Sequence, residues 1–152
     1  MTIEEGIKQR DFKNPYHKLA INLMFTTSLL ESYLKDIFKK EGITLQQYNI
    51  LRILRGSRPA PLSTMQIRER MMDKMSDTSR IVDRLLIKKL VTKKTNPEDH
   101  RLVEVRITEK GLQLLQKLDG VEDKIALFLS NISEAEAIEM SNQLDKLHSK
   151  KD

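Results

Sequence analysis

The sequence predicts a mainly α-helical α+β fold with one small β-hairpin, and two changes of pattern in its middle indicate this. From residue 76 to residue 87, apolar side chains recur with the spacing of one helix face. From residue 103 to residue 107, apolar and charged residues alternate, which is the repeat of a half-buried strand. The run 90–95 lies before it, and the turn-forming sequence Asn-Pro-Glu-Asp at 96–99 separates the two runs. A short helix, a second helix and a hairpin, in this order, indicate a helix-turn-helix followed by a wing.

The N-terminal quarter predicts one long helix after a polar arm. Residues 1–13 are polar and of mixed charge, and they form either a short helix or a loose arm. Asn14 and Pro15 supply an N-cap and a first-turn proline, and Gly42 marks the end of the helix. The apolar side chains of this helix spread well beyond one stripe. One side therefore packs on its own chain while another meets a partner subunit, so residues 14–41 are predicted to be a dimerisation helix.

Two capping boxes open the next two helices. In each box a hydroxyl side chain and a glutamine three residues later serve each other's backbone amides: Thr44 with Gln47, and Ser63 with Gln66. Two prolines break the chain between these helices, and residues 72–75 form the turn after the second one. Four methionines surround this turn, and they indicate either an adaptable binding surface or core filling, of which core filling is favoured: Met65, Met71, Met72 and Met75.

The C-terminal part predicts two further helices. Thr108 caps a helix that is expected to cover residues 109–130, although two glycines weaken it locally. Ser133 and Glu136 form another capping box at the start of the last helix. Both helices carry apolar faces that need a partner to cover them.

These elements predict a single domain spanning residues 1–152. Its two ends, residues 14–41 and 109–150, are expected to form a dimer interface together. The winged helix-turn-helix region between them covers residues 44–108 and is expected to bind DNA.

The composition excludes several functional classes. The chain has no cysteine, so disulfides, thiolate zinc sites and cysteine-based peroxide sensing are excluded. Its three histidines, His17, His100 and His148, lack the close spacing of metal ligands, and no cofactor is expected. We find no Gly-rich phosphate loop, nucleophile elbow or evident carboxylate pair, so we do not expect an enzyme. The N-terminus has no apolar signal region and no run is long enough to span a bilayer, so a cytoplasmic protein without a membrane partner is expected.

The positive charge is concentrated in the middle of the chain. Residues 1–51 carry 7 basic and 6 acidic side chains, a net charge of +1. Residues 52–110 carry 15 and 8, a net charge of +7, whereas residues 111–152 carry 5 and 8, a net charge of −3. This asymmetry favours a polyanionic partner at the helix-turn-helix and wing over a merely solvated charged surface.

Three short sequences follow one another through the second helix of the helix-turn-helix and the wing. They are SRIVDRLLIKKLV at 79–91, an Asp-x-Arg sequence at 99–101 and VEVRITEKG at 103–111. Together they closely resemble the MarR family of winged helix-turn-helix bacterial transcription regulators, and element order agrees from about residue 14 onward. One difference is Lys89, which stands where the family usually has a glycine with positive φ. The resemblance implies a dimer whose interface comes from both chain ends.

The outward face of this second, recognition helix and the wing supply candidate DNA contacts. Short polar side chains near the helix start meet phosphates or base edges, and Arg80 and Arg84 are placed to grip guanine. Alternatively, both arginines are solvated or paired with Asp77 and Asp83. Lysines near the helix end and in the first strand are assigned to phosphates. The predicted contact set is Ser63, Ser76, Asp77, Thr78, Ser79, Arg80, Arg84, Lys88, Lys93, Lys94, His100 and Arg101.

Arg101 occupies the arginine position of the family's Asp-x-Arg sequence. The resemblance implies that it enters a narrow minor groove, where the negative potential is enhanced. Asp99 is expected to brace the turn, because a carboxylate repels phosphate. The alternative is that Arg101 pairs with Asp83 and only holds the wing against the recognition helix.

These features predict a sequence-specific, homodimeric regulator that binds double-stranded DNA, and the resemblance implies a repressor of a palindromic operator that a small ligand releases. The resemblance implies a small aromatic or anionic effector. Tyr16, Phe25 and Tyr33 are candidate lining residues, with core packing as the alternative for each. The alternative function is a winged-helix protein-interaction adaptor without DNA binding. An adaptor should carry apolar anchors on the outward face of the recognition helix, where Ile87 is the large exception among polar residues.

Overall fold

The computed structural model describes residues 1–148 and has the predicted mainly α-helical architecture with one antiparallel hairpin. The elements in chain order are α1 (Ile3–Ile7), α2 (Pro15–Lys39), α3 (Leu45–Ser57), α4 (Thr64–Arg70), α5 (Thr78–Ile87), β1 (Val91–Thr95), β2 (Val103–Ile107), α6 (Glu109–Lys117), α7 (Val121–Phe128) and α8 (Glu134–His148). They divide into two compact units, one up to Leu118 and one from Asp119 onward. The last two positions of the predicted 109–150 dimerisation region lie outside the described residues.

Short polar sequences set the starts of the helices. The capping boxes predicted at Thr44 and Ser63 are confirmed, because each hydroxyl accepts from the backbone N–H three residues later, at 3.1 Å in both cases. Asn14 accepts from the backbone N–H of His17 at 2.9 Å and starts α2. Within the described part of the chain, no helix is both long and apolar enough to cross a membrane.

The first unit has a core where α3, α4, α5, α6 and the hairpin converge. Its fully buried side chains are aliphatic with one methionine and one phenylalanine, and they come from every one of these elements and from α2: Phe38, Ile50, Leu51, Leu54, Ile67, Met71, Val82, Leu85, Val91, Val105 and Leu115. Burying such side chains supplies the main driving force for folding. This core fixes α4 and α5 on one side of the unit and anchors the base of the hairpin.

The hairpin is held to the unit by a third short backbone segment. Strands β1 and β2 pair in the register Val91 with Ile107 and Thr95 with Val103. Leu62, between α3 and α4, donates its N–H to the carbonyl of Val105 at 3.1 Å and accepts the N–H of Val105 at 2.8 Å. The base of the wing is therefore hydrogen-bonded on both sides of β2, while most of β1 beyond Val91 is exposed.

The first turn of α6 is held against the short segment between α5 and β1. Thr108 donates its hydroxyl to the carbonyl of Lys89 at 2.8 Å and its N–H to the carbonyl of Leu90 at 3.0 Å. Gly111 packs so closely here that a Cβ atom would lie 2.5 Å from the Leu90 carbonyl oxygen. Only glycine fits at this position without moving the backbone.

The N-terminal arm is a short helix rather than a loose segment. Thr2 and Glu5 form a capping box on α1, and Ile3 is buried. Gly6 faces the ring of Phe25 on α2, where a Cβ atom would lie 2.9 Å from the ring. Helix α1 therefore covers one of the aromatic side chains of α2.

Two sequence predictions about local structure are wrong. The single helix expected over 109–130 is divided into α6 and α7, because the chain leaves helical geometry at Leu118 and Gly120 begins a new helix. The methionines near the turn were expected to fill the core, but only Met71 does so. Met65, Met72 and Met75 are exposed, because the core already takes Ile67 and Met71 from this short segment.

Candidate nucleic-acid interface

Helix α5 presents one apolar and one polar face, as its sequence predicts. Val82 and Leu85 are buried in the core. Asp77 is the N-cap, and its Oδ1 accepts from the backbone N–H of Arg80 at 3.2 Å. The exposed side chains of the helix are Ser79, Arg80, Asp83, Arg84, Leu86 and Ile87. The helix is therefore held through its buried face, and its first turns expose serine and arginine side chains.

Two predicted contact residues at the start of α5 point inward. Thr78 is only 3% exposed, and its hydroxyl is buried without a partner among the described residues. Ser76 is half-buried, and its hydroxyl oxygen is likewise buried and unpaired in the described part of the chain. Thr78 therefore belongs to the core side of the helix, which corrects its inclusion in the outward contact set. The exposed polar surface at this end consists of Asp77 and Ser79.

The arginines of α5 remain largely available to a partner. Arg80 Nε lies 3.6 Å from Asp77 Oδ2, and the side chains stay 73% and 61% exposed. Such an exposed pair contributes at most about 1 kcal/mol and gives way easily to a phosphate or a base. Arg84 is exposed one turn further along. The pairing of Asp83 is with the wing, not with an arginine of its own helix, because Lys93 Nζ lies 2.9 Å from Asp83 Oδ1.

Lys93 and Lys94 have different environments although they are neighbours on β1. Lys93 crosses to Asp83 and links the wing to α5. Lys94 stands opposite Glu104 in the strand register and is exposed. Lys94 therefore offers the freer charge of the two.

The wing tip is organised by short polar side chains. The side-chain oxygen of Asn96 accepts the N–H of Glu98 at 2.8 Å, and Asp99 Oδ1 accepts the N–H of Arg101 at 3.0 Å. The guanidinium of Arg101 also donates to both Asp99 oxygens, at 3.1 and 3.3 Å, while its side chain stays 91% exposed. These hydrogen bonds, first from the Arg101 side chain and then from its N–H, lower the pKa of Asp99. The brace expected of Asp99 is confirmed, and the alternative pairing of Arg101 with Asp83 is wrong, because Arg101 pairs with Asp99 while Asp83 pairs with Lys93.

The remaining predicted contacts are distributed around this surface. Ser63 is occupied in capping α4. Lys88 turns away from the outward face, because its Nζ donates to the Gly42 carbonyl at 2.5 Å and to Gln47 Oε1 at 3.0 Å. His100 is exposed at the wing tip. Lys89 takes a φ of 59°, so the lysine itself adopts the left-handed conformation for which a glycine is usual.

A groove of about 480 Å³ lies between the starts of α4 and α5. Met65 and Arg68 line it from α4, and Met75, Ser76 and Ser79 line it from the other side. The exposure of these two methionines was not predicted from the sequence. The shortness of α4 could have indicated this exposure, because the helix has only seven residues and buries just Ile67 among them.

The three aromatic residues proposed as an effector pocket do not converge. Tyr16, Phe25 and Tyr33 all lie on α2, and seventeen residues of helix separate the first from the last by about 25 Å. Tyr16 is exposed, and Phe25 is partly covered by α1. A more apolar groove of about 570 Å³ lies elsewhere, between the end of α2 and the start of α3.

Comparisons with known proteins agree with this geometry. The sequence model of the MarR family matches residues 41–102, from the link before α3 to the wing. The HTH-type transcriptional repressor MdtR of Bacillus subtilis (strain 168) is 25% identical over 130 residues, which is 85% of this chain and 83% of that protein.

Two solved structures have a similar fold. The MarR transcription factor from Planctomyces limnophilus has a TM-score of 0.67 and 29% identity, covering 89% of this chain and 98% of that one. A mutant MarR from E. coli, crystallised with operator DNA, has a TM-score of 0.80 and 21% identity, covering 91% and 99%. The second likeness concerns the fold alone.

Proposed function

The chain belongs to the MarR family of winged-helix regulators, and on this premise we propose that it is a homodimeric transcription regulator that binds a palindromic operator in double-stranded DNA. As a member of a family of regulators it is not an enzyme. The observation that carries the proposal is the outward face of α5, where Ser79, Arg80 and Arg84 project from a helix whose other face is fixed in the core. A rigid helix with short polar and long cationic side chains suits the major groove.

The wing supports the same proposal through its charge and its position. Lys94 and Arg101 project from a hairpin whose base is tied to the core at Val105. A guanidinium at the tip of such a hairpin is suited to a narrow minor groove beside the recognition site. The MdtR relative is named a repressor, and the E. coli neighbour was crystallised with operator DNA, which support the same role for this chain.

Exposed apolar side chains support a dimer. Helix α2 carries Leu19, Met24 and Leu29 on its surface. In the unit from Asp119 onward, the second exposed set is Leu127, Leu129, Ile138, Met140 and Leu147. Large exposed apolar surfaces mark interfaces, and a second copy of this chain is the partner we propose for both. The two recognition helices of a symmetric dimer would then lie about 34 Å apart, in successive major grooves.

We further propose that the regulator acts in the cytoplasm as a repressor and that a small aromatic or anionic effector releases it. The groove between α2 and α3 supports such a ligand, because Ile43 and Leu45 provide apolar walls. Two cations, Lys35 and Lys39, line it beside one carboxylate, Glu31. A carboxylate on an aromatic ring would match this mixture. Displacement of labelled operator by aromatic acids, compared in the protein and in Lys35→Ala, measures this directly.

The experiment that tests the proposed function is selection of bound sites from random duplexes, combined with light scattering. We expect an enriched palindrome whose half-sites are about one DNA turn apart, and a dimer at micromolar concentration. A monomer, or a selection that enriches no sequence, contradicts the proposal. The second result would favour the adaptor function instead, for which Ile87, 80% exposed at the end of α5, is the supporting observation.

A further inference from the structure

Two methionines are exposed side by side at the entrance to the recognition helix. Met75 is 92% exposed and Met65 is 72% exposed, and both line the groove between α4 and α5. The same groove is lined by Ser79, which belongs to the outward face of α5. The methionines are therefore continuous with the surface that we propose to contact DNA.

The backbone holds Met75 at a defined place although its side chain is free. The N–H of Met75 donates to Asp73 Oδ1 at 2.9 Å. Just before it, Met71 is buried and the N–H of Met72 donates to Asn49 Oδ1 at 3.0 Å. The turn is thus anchored to α3 and to the core, and the thioether of Met75 projects from a fixed point.

Apolar side chains at a DNA interface have one apolar target on the base edges of the major groove, the C5-methyl group of thymine. Methionine suits this target, because its unbranched and polarisable side chain adapts to small apolar groups. Arg68 in the same groove and Arg80 beside it outnumber the one carboxylate that lines the groove, Asp77, and so favour a polyanion over an apolar protein partner. The charge of the surface therefore favours DNA as the partner, and the methionines are suited to contact the apolar methyl groups of that DNA.

We propose that Met65 and Met75 are specificity-determining residues that contact thymine methyl groups in the operator, beside the bases met by α5. This inference rests on the proposed function, since it needs a bound duplex. It adds a component of sequence readout that is independent of the arginines. Neither methionine supports the core, so their role is testable without loss of the fold.

The test uses the full chain and the duplex obtained by site selection. Each thymine of a half-site is replaced singly by uracil, which removes only the methyl group, and the dissociation constant is measured by fluorescence anisotropy. We expect uracil at one or two positions to weaken binding of the unchanged protein about fourfold, the factor that corresponds to burial of one methyl group. Met65→Ala or Met75→Ala should bind the thymine and uracil duplexes equally, because the two deletions remove the same contact.

Met72→Ala is the matched control. Its side chain is 69% exposed and does not line the groove, so this variant should keep the full thymine preference. Equal binding of all uracil duplexes by the unchanged protein overturns the inference and leaves the proposed function intact. An undiminished thymine preference in both groove variants overturns it as well. Failure of the unchanged protein to bind any selected duplex overturns the proposed function and the inference with it.

Discussion

The recognition helix and the wing carry similar charges but are fixed to the molecule in different ways. Helix α5 places Val82 and Leu85 in the core, and both are fully buried. The wing enters the core only at its base, through Val91 and Val105. Its tip keeps its shape through hydrogen bonds from short polar side chains such as Asn96. The helix is therefore positioned by packing, and the wing tip by local polar geometry.

This difference matches what each region would have to do on DNA. Reading a base edge requires hydrogen-bond geometry within a few tenths of an ångström, which close packing maintains. A cation that contacts the phosphate backbone or enters a groove needs only to project far enough from the protein to reach the DNA. The ion pair between Lys93 and Asp83 joins the two regions, and as an exposed contact it contributes about 0–1 kcal/mol.

The largest effect is expected from a substitution that removes the packing between α5 and the core. Leu85→Ala removes a fully buried side chain from beneath α5, so we expect it to lower the free energy of unfolding by about 2–5 kcal/mol. Lys94→Ala, on the exposed strand, should change it by less than about 0.5 kcal/mol. Urea denaturation followed by circular dichroism measures both. Similar losses in the two variants would mean that packing does not distinguish the regions.

The next effect separates base readout from electrostatic attraction. Arg80→Ala should cost about 1–3 kcal/mol on the selected operator and much less on random duplexes, because the lost contact is to a base. Anisotropy titrations on both kinds of DNA measure this. The helix would lose its assigned role if the two losses were equal.

Arg101→Ala tests what the wing tip contributes. We expect a loss of roughly 1–2 kcal/mol on operators with A/T-rich flanks and little loss with G·C flanks, because the narrow groove of A/T tracts attracts a cation. Asp83→Ala is the control, since Asp83 pairs with Lys93 and not with Arg101. A loss from Arg101→Ala that ignores flank composition would remove the minor-groove role.

Lys94→Ala should weaken every duplex alike and reduce the salt slope of binding by about 1, because one phosphate contact is lost. Lys88→Ala provides the comparison. Its ammonium group is engaged by the Gly42 carbonyl and Gln47, so the slope should stay unchanged. Binding isotherms from 50 to 300 mM salt, on the order of the range where counterion release dominates, measure the difference. A reversed order for the two lysines would contradict the geometry.

The smallest effect concerns acid. The Arg101 side chain, and then its N–H, lower the pKa of Asp99 in the folded wing. The contribution of the Asp99 carboxylate to the stability of the folded wing is therefore fully present above the ordinary aspartate pKa of about 4. This contribution is lost as the pH falls through the lowered pKa of the folded state. Amide chemical shifts of the wing tip should change in this acid range. Asp99→Asn should abolish the transition, and its persistence would assign it to another group.

Local signals in the sequence predicted most of this arrangement. The capping pairs at Thr44 and Ser63 act over three residues, so no tertiary contact is needed to find them. The alternation at 103–107 likewise identified β2, whose central valine is buried. What escaped prediction depends on distant partners. Lys88 is a charged residue in a basic run, yet its place is set by a carbonyl 46 positions earlier.

Two other features that were not predicted from the sequence have the same cause. Asp83 has arginines within reach on its own helix, but the hairpin brings Lys93 closer. The apolar pattern continues through the α6–α7 boundary because Leu118 is buried even where the helix has ended. Periodicity reports which side chains are buried, and at this point the helix is interrupted without a change in that pattern.

The contact of Gly111 with the Leu90 carbonyl has a mechanical consequence. Thr108 is hydrogen-bonded to the carbonyls of Lys89 and Leu90, and Gly111 has no free space, so the first turn of α6 and the segment that follows α5 form one stiff corner. A displacement of α6 along its axis is not absorbed there, since it would drive backbone atoms into one another. We therefore expect the start of α6 and the segment that follows α5 to move together rather than independently.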